Sequence, residues 1–580
     1  MHLTGQKVKN LGKRVLAQPY WERPSESYLV RRWPDLFATC VATVFFWLSL
    51  TPSLVPRPWF LQGVIGGITA AIGYAVGSVL SSLFRWLVKW RPSERARARC
   101  WLAYWILSPI LAGWLISESA HMQRQLRQLQ GLPPSLTWHT PMIGLIAVAL
   151  WLLLLMAARA VRLGSSTFIQ WLGRALPRPV AVGIGLLVSG IVVSTALQDV
   201  VFERGVIDVA DRIAKATNGG TKDGIHQPTS RLVSGGPGSE MEWDELGFQG
   251  RNFTGSVLSK DQITEFTGKP AKDPVRVYIS STAPEAFQED EPFAAQARLA
   301  VRELKRTGAF DRKVLTVAGT TGSGWIDANV VQSLEYMYGG DTATVAVQYS
   351  YLPSWVSFLV DKEKAGKSTR ALVDAVRTEL DKLPADRRPK LAVTGESLGG
   401  YAIEDSYGTV DKLLAGTDAA LLLGVPNFSP IAGELRDRRD EGSPVWRPEF
   451  EGGRNVRFAQ FPVEDLARPA SEWGRPRAVV LQNASDAIVW WTPDLLFERP
   501  EWLKEPLGPD ITPEINWFPF VTFWQTTVDM AVSYGVEAPH GHRYGTGSVD
   551  GWAAVLPPEG WTAQDTDRLR AYLDARPTPY

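Results

Sequence analysis

Residues 390–400 read Lys390-Leu391-Ala392-Val393-Thr394-Gly395-Glu396-Ser397-Leu398-Gly399-Gly400. An apolar run, Leu391 to Val393, leads into Gly395-Glu396-Ser397-Leu398-Gly399, a Gly-x-Ser-x-Gly pentapeptide, and a helical pattern follows it. Strand, sharp turn and helix in that order are the setting in which a serine hydroxyl becomes a nucleophile. The residues flanking the serine must be small, because the turn is tight and a side chain there would strike the neighbouring strand or helix. The pentapeptide alone is not specific; its weight comes from what surrounds it.

Working outward, short apolar runs alternate with helical patterns from about residue 275. The predicted strands are 275–279, 314–318, 342–349, 390–394, 419–423 and 478–481, with helices at about 292–307, 328–337, 367–383, 398–414 and 519–533. Apolar runs separated by helices predict parallel strands buried on both faces, hence a doubly wound α/β sheet. A long, charged, Pro- and Gly-rich insertion covers about 425–476. The chain order resembles an α/β-hydrolase, in which the oxyanion loop precedes the nucleophile, the acid follows it and the histidine comes last. Here the loop Gly319-Thr320-Thr321-Gly322-Ser323-Gly324-Trp325 follows the strand two before the elbow. Gln482-Asn483-Ala484-Ser485-Asp486 follows the strand two after it, and Pro539-His540-Gly541-His542-Arg543-Tyr544 lies near the end.

These features give named candidates. Ser397 is the nucleophile, which needs a base because a hydroxyl is a poor nucleophile at neutral pH. Of the six histidines, His2, His121 and His139 belong to the N-terminal half and His226 to the linker, which leaves His540 or His542. The Gly541-His542-x-Tyr544 pattern resembles the usual Gly-His ending of an α/β-hydrolase and favours His542, with His540 as the alternative base. Asp486 is the acid that fixes the imidazole tautomer. Leu398 supplies the first oxyanion N–H, and the second is sought in the 319–325 loop among Thr321, Gly322, Ser323 and Gly324, with Gly322 and Ser323 named as the candidates. Gly395, Glu396 and Gly399 complete the elbow.

The chain has 580 residues, room for more than one domain, and a net charge of +1, which gives no sign of nucleic-acid binding. The two cysteines, Cys40 and Cys100, lie in or beside N-terminal apolar segments. This excludes a disulfide framework, a cysteine-based zinc site and a cysteine nucleophile from the C-terminal part. The 319–325 loop lacks the Gly-Lys-Ser/Thr ending of a phosphate-binding loop, and neither a cofactor motif nor a metal-ligand cluster is apparent.

Five segments, roughly 36–56, 60–84, 100–117, 141–158 and 179–201, are uncharged through most of their length and predict an all-α transmembrane bundle of about five spans. Lys and Arg concentrate in 1–33, in the loop after the second segment (Arg85 to Arg99) and in the loop after the fourth (Arg159 to Arg178). That alternation predicts a cytoplasmic N-terminus and, after an odd number of spans, an extracytoplasmic C-terminal half. The expected organisation is a basic N-terminus at 1–33, a membrane domain at 34–202, a juxtamembrane helix and linker at 203–240, and a catalytic domain at 241–580.

Thr51-Pro52-Ser53-Leu54-Val55-Pro56-Arg57, Gln348-Tyr349-Ser350-Tyr351-Leu352-Pro353-Ser354-Trp355, the elbow, Ala484-Ser485-Asp486 and Gly541-His542-x-Tyr544 together resemble a bacterial family of membrane-anchored α/β-hydrolases of unassigned substrate, frequent in actinobacteria. The resemblance covers nearly the whole chain. Members tend to read Gly-His-Gly-His where this chain has Pro539-His540-Gly541-His542, which keeps both histidines in play. The expectation is a serine hydrolase of esterase or lipase type, acting on a lipid or other acyl ester at the outer membrane face without a cofactor. The alternatives are an envelope acyltransferase using the same acyl-enzyme, and a non-catalytic binding protein on a hydrolase fold.

Overall fold

A computed structural model describes residues 34–88, 92–136, 139–283 and 291–580. The predicted cytoplasmic N-terminus, 1–33, and Lys89 and Arg91 of the second basic cluster lie outside the described residues. The chain divides into two compact units. One comprises the described residues up to Arg204 together with Pro493–Leu503 and Ile511–Val532; the other comprises Gly205–Thr492, Lys504–Asp510 and Ser533–Tyr580.

The first unit is helical: α1 (Leu36–Ser49), α2 (Trp59–Leu87), α3 (Glu94–Leu129), α4 (His139–Leu172) and α5 (Arg178–Thr195). By length and composition, α2, α3 and the Pro141–Leu172 part of α4 are long and apolar enough to cross a membrane, whereas α1 and α5 are apolar but shorter. At 1.5 Å per residue, the 14 residues of α1 span about 21 Å, less than a hydrocarbon core of about 30 Å. The predicted first segment, 36–56, therefore overshoots: the helix stops at Ser49, because Pro52, Pro56 and Pro58 cannot donate to a helical ladder. The predicted fifth segment, 179–201, also overshoots; beyond Thr195 the chain continues as a π-helix, Ala196–Ile207, that contains Asp199. Large apolar side chains stand exposed along α3 to α5, among them Ile110, Trp114, Leu153 and Leu187.

The Pro-rich turn between α1 and α2 is buried, and side chains satisfy its backbone. Ser119 Oγ donates to Leu50 O (2.8 Å), Gln130 Nε2 to Leu54 O (2.7 Å) and Gln525 Nε2 to Thr51 O (3.0 Å). Arg57 N donates to Gln123 Oε1 (3.1 Å) and Leu54 N to Asp529 Oδ2 (3.1 Å). Arg57 Nε lies 3.5 Å from Asp529 Oδ1, with neither side chain exposed. Gln525 and Asp529 belong to the helix Val521–Val532, which the sequence placed in the catalytic region.

The second unit holds a seven-stranded, wholly parallel sheet in the order β1-β3-β2-β4-β5-β7-β6. The strands are β1 (Val275–Ile279), β2 (Val314–Gly319), β3 (Thr342–Val347), β4 (Lys390–Glu396), β5 (Ala419–Leu423), β6 (Val456–Ala459) and β7 (Arg477–Leu481). Their near-complete burial explains the unbroken apolar runs. β6 lies inside the predicted 425–476 insertion, so part of that segment forms the edge of the sheet. In consequence the acid-bearing strand is three after the elbow strand in chain order, though two away in the sheet. The segment from Trp243 to Phe253 is a short 3-10 turn and a helix with Leu246 and Phe253 buried in the core.

Because all strands run parallel, β2, β4, β5 and β7 end on one edge of the sheet. That edge is where open α/β sheets place their ligands.

Candidate active site

Ser397 is the hinge between β4 and the helix Leu398–Tyr407, with φ 56° and ψ −126°. A left-handed backbone at a residue with a Cβ costs about 1–3 kcal/mol and persists only where the surroundings enforce it. Here they do. Gly319 pairs with Gly395 across β2 and β4. A Cβ on Gly395 would fall 2.3 Å from the Gly399 carbonyl carbon, and one on Gly399 would fall 2.2 Å from Gly319 O. Only glycine permits the helix to start this close to two strands, which accounts for the small residues around the serine. Ser397 N donates to Leu423 O (2.9 Å), fixing the elbow to the end of β5.

Asp486 follows β7 and caps the short helix Ala487–Trp490, accepting from Ile488 N on Oδ1 (2.9 Å). Its Oδ2 faces His542 Nδ1 at 2.6 Å and accepts from Tyr544 Oη at 2.6 Å. Asp486 is fully buried and His542 is 6% exposed. With Nδ1 turned to a carboxylate, Nε2 is the nitrogen left to exchange a proton. The histidine loop is pinned on three sides. His542 N donates to Ser533 O (2.9 Å), Asn483 Nδ2 to Gly541 O (2.9 Å), and Gly541 N to Ser485 Oγ (2.8 Å). The ring rests on the end of β5, since a Cβ on Gly424 would meet His542 Cε1 at 2.6 Å. Ser397 thus contacts Leu423 and His542 the next residue, Gly424.

The two candidate histidines have separate partners. His540 Nδ1 faces Asp510 Oδ2 (3.0 Å), which also accepts from Ser485 Oγ (2.5 Å). The carboxylate after β7 is therefore engaged by His542, while His540 belongs to a neighbouring network that steadies the same loop.

Leu398 N is the first amide of the helix after the nucleophile, one of the amides a helix leaves without an internal partner. In the 319–325 loop, Thr321 N donates to Trp325 O (3.0 Å) and Gly324 N to Thr321 O (2.9 Å), so these two amides are occupied. Among the described residues no hydrogen bond from Gly322 N or Ser323 N is present, so both stay available as donors. Gly322 packs against Ser357 so closely that a Cβ would fall 2.3 Å from the Ser357 Cβ.

Several residues around the elbow had no signal in the sequence. Tyr534 Oη donates to Glu396 Oε1 (2.7 Å), and the Tyr534 ring lies edge-on to His542 with centroids 5.8 Å apart. Asp327 caps the helix Ala328–Met337, accepting from Asn329 N (2.7 Å). Burial, and then the nearby charge of Asp327, push the Glu396 carboxyl well above the usual range. Burial raises Asp327 to about 6, partly offset by the Asn329 amide. Glu404, on the helix after the elbow, is fully buried; its Oε2 accepts from Ile431 N (2.9 Å) and Ala432 N (2.8 Å), and burial raises it to about 7. The aromatic residues near the C-terminal part of the chain are divided between the units, Trp490 and Trp491 in one and Trp517, Phe518, Phe520, Phe523 and Trp524 in the other. Among the described residues there is no group of His, Cys, Asp and Glu able to hold a metal ion.

Two family models match the chain: an alpha/beta-hydrolase family over residues 275–569 and an alpha/beta-hydrolase family N-terminus over residues 50–257. No curated protein and no solved structure matches it.

Proposed function

The chain belongs to this alpha/beta-hydrolase family, and from that premise we propose that it is a membrane-anchored serine hydrolase of esterase or lipase type. The observation that carries the reading is the buried Asp486–His542 pair at 2.6 Å, seated on the strand end that also holds Ser397 in its left-handed turn. In the reaction, Ser397 Oγ attacks the acyl carbonyl while His542 Nε2 takes its proton. Asp486 stabilises the resulting imidazolium and keeps the ring oriented. The carbonyl oxygen gains negative charge, which Leu398 N and an amide of the 319–325 loop, Gly322 N or Ser323 N, are positioned to receive. His542 returns the proton to the departing alcohol, leaving an acyl-Ser397 ester. Water, deprotonated by His542, then releases the acid.

The apolar helices favour a substrate that is itself a lipid or an envelope acyl ester. The alternation of basic loops favours a catalytic unit outside the plasma membrane, with the N-terminus in the cytoplasm. The test is labelling of intact cells with a membrane-impermeant fluorophosphonate, comparing the native chain with Ser397→Ala. Labelling that is lost in the variant supports both an activated serine and its external position. Labelling that requires permeabilisation overturns the orientation, and a wild-type chain that never labels overturns the hydrolase reading.

A further inference from the structure

His542 gives its proton to the departing alcohol, so the side of the imidazole left open is the side on which the alcohol half of an ester must lie. Two aromatic rings stand edge-on to that imidazole, those of Tyr544 and Tyr534, each with centroids 5.8 Å from it. Tyr544 is buried and donates its hydroxyl to Asp486. Tyr534 is different. It is 48% exposed, and its hydroxyl donates to Glu396, the residue before the nucleophile, at 2.7 Å.

An exposed side chain ordinarily hops between rotamers, but this one is held. Its hydroxyl is tied to Glu396, which is 5% exposed. Its ring meets Trp325 edge-on, with centroids 6.1 Å apart and planes at 86°. Trp325 closes the 319–325 loop, its carbonyl accepting from Thr321 N (3.0 Å). The residue before Tyr534, Ser533, accepts from His542 N (2.9 Å) and lies so close to Gly541 that a Cβ there would fall 2.4 Å from Ser533 O. One side chain therefore touches the elbow, the end of the oxyanion loop and the base.

We infer that Tyr534 is a specificity-determining residue for the alcohol half of the ester: a fixed aromatic wall beside Ser397 and His542 that favours an apolar or aromatic alcohol over a small one. The inference rests on the serine-hydrolase reading and deepens it. Around the imidazole, Nδ1 faces Asp486 and Cε1 rests on Gly424. The Tyr534 side, whose hydroxyl is anchored one residue from Ser397, is the side that remains for the alcohol. Glu396 is a positioning residue, because its carboxyl oxygen keeps the ring from swinging into solvent. A ring already fixed offers apolar surface without losing rotamer freedom when substrate binds, and apolar contact of this kind discriminates between substrates by about tenfold or more.

The experiment uses the full-length chain in detergent with the octanoate esters of benzyl alcohol and ethanol, which share an acyl group and have leaving alcohols of similar acidity. The ratio of kcat/KM for the benzyl ester to that for the ethyl ester should fall about tenfold in Tyr534→Ala, chiefly through a higher KM for the benzyl ester. Tyr534→Phe keeps the ring but loses its tether, so it should fall between wild type and Tyr534→Ala. Glu396→Leu should match Tyr534→Phe, and the double variant should be no worse than either, because both remove the same bond. Glu396→Gln keeps an acceptor for the hydroxyl and should recover most of what Glu396→Leu loses.

An unchanged ratio in Tyr534→Ala overturns the inference whatever happens to the overall rate, since a merely structural ring would slow both esters alike. Where Tyr534→Ala does not fold, Tyr534→Leu serves instead, and an unchanged ratio there has the same meaning. Losses in Tyr534→Phe and Glu396→Leu that add in the double variant overturn the positioning role of Glu396. Fluorophosphonate labelling of Ser397 reports on the hydrolase reading separately. A wild type that labels and cleaves both esters while the variants keep its ratio overturns this inference alone, whereas a wild type that neither labels nor cleaves either ester overturns the hydrolase reading and this inference with it.

Discussion

Tyr544 Oη and His542 Nδ1 meet the same oxygen of Asp486, each at 2.6 Å. Asp486 is thus held from two sides, by the Tyr544 hydroxyl and by the His542 ring. Burial, then the charge of Asp486, keep the Tyr544 hydroxyl well above its ordinary ionisation range, so it remains a donor at any working pH.

Tyr544→Phe removes one charge-assisted hydrogen bond, of about 1.5–3 kcal/mol, while leaving the Asp486–His542 contact. Labelling of Ser397 should slow about tenfold, since 1.4 kcal/mol is one decade. A rate equal to wild type would show that the phenol does not orient the carboxylate.

His542→Ala and His540→Ala should separate widely. Loss of the base in a triad costs about four decades or more, whereas His540 steadies the loop through Asp510 and its loss should cost about one decade or less. Labelling rates measured side by side decide this, and the reverse ranking would exchange the two roles.

Glu404 makes folding stability depend on pH. Its folded-state value is raised from 4.5 to about 7, so the native state prefers the protonated form. The stabilisation from that form is complete below about pH 4.5 and lost as pH rises toward 7. Glu404→Gln, which cannot ionise, should flatten this part of the profile, with a difference from wild type on the order of 3 kcal/mol. Urea melts of both proteins at pH 5 and pH 8 measure it; parallel profiles would show that Glu404 does not carry the dependence.

Asp529→Ala should destabilise the helical unit by about 3–5 kcal/mol, the cost of leaving a buried guanidinium without its partner. The double variant Arg57→Leu/Asp529→Leu should lose less than the two single variants combined, because no orphan charge remains. Thermal melts in detergent give both values, and additive losses would show that the pair is not coupled.

The elbow turn and its glycines were legible because they depend on local pattern: an apolar strand and a turn that forbids side chains. β6 was not. It is four residues long and contains Arg457, which reads as surface but whose guanidinium is folded back over Trp473 and onto the carbonyls of Gly453, Leu466 and Ser471. The Tyr534–Glu396 contact joins residues 138 apart, and no periodicity encodes such a pairing. The placement of the aromatic cluster from Trp517 to Trp524 was not legible, because composition cannot say which of two units a rich apolar segment will complete. The early end of α1 was within reach, since three prolines in seven residues rule out a helix there.

The bond from Leu54 to Asp529 spans 475 residues of chain. At about 5–20 residues per second, the ribosome needs roughly 25–95 s to make the second partner after the first. Through that interval the turn between α1 and α2 must wait with Arg57 lacking its counter-charge. The helical unit is therefore among the first parts to be synthesised and cannot be among the first to be finished.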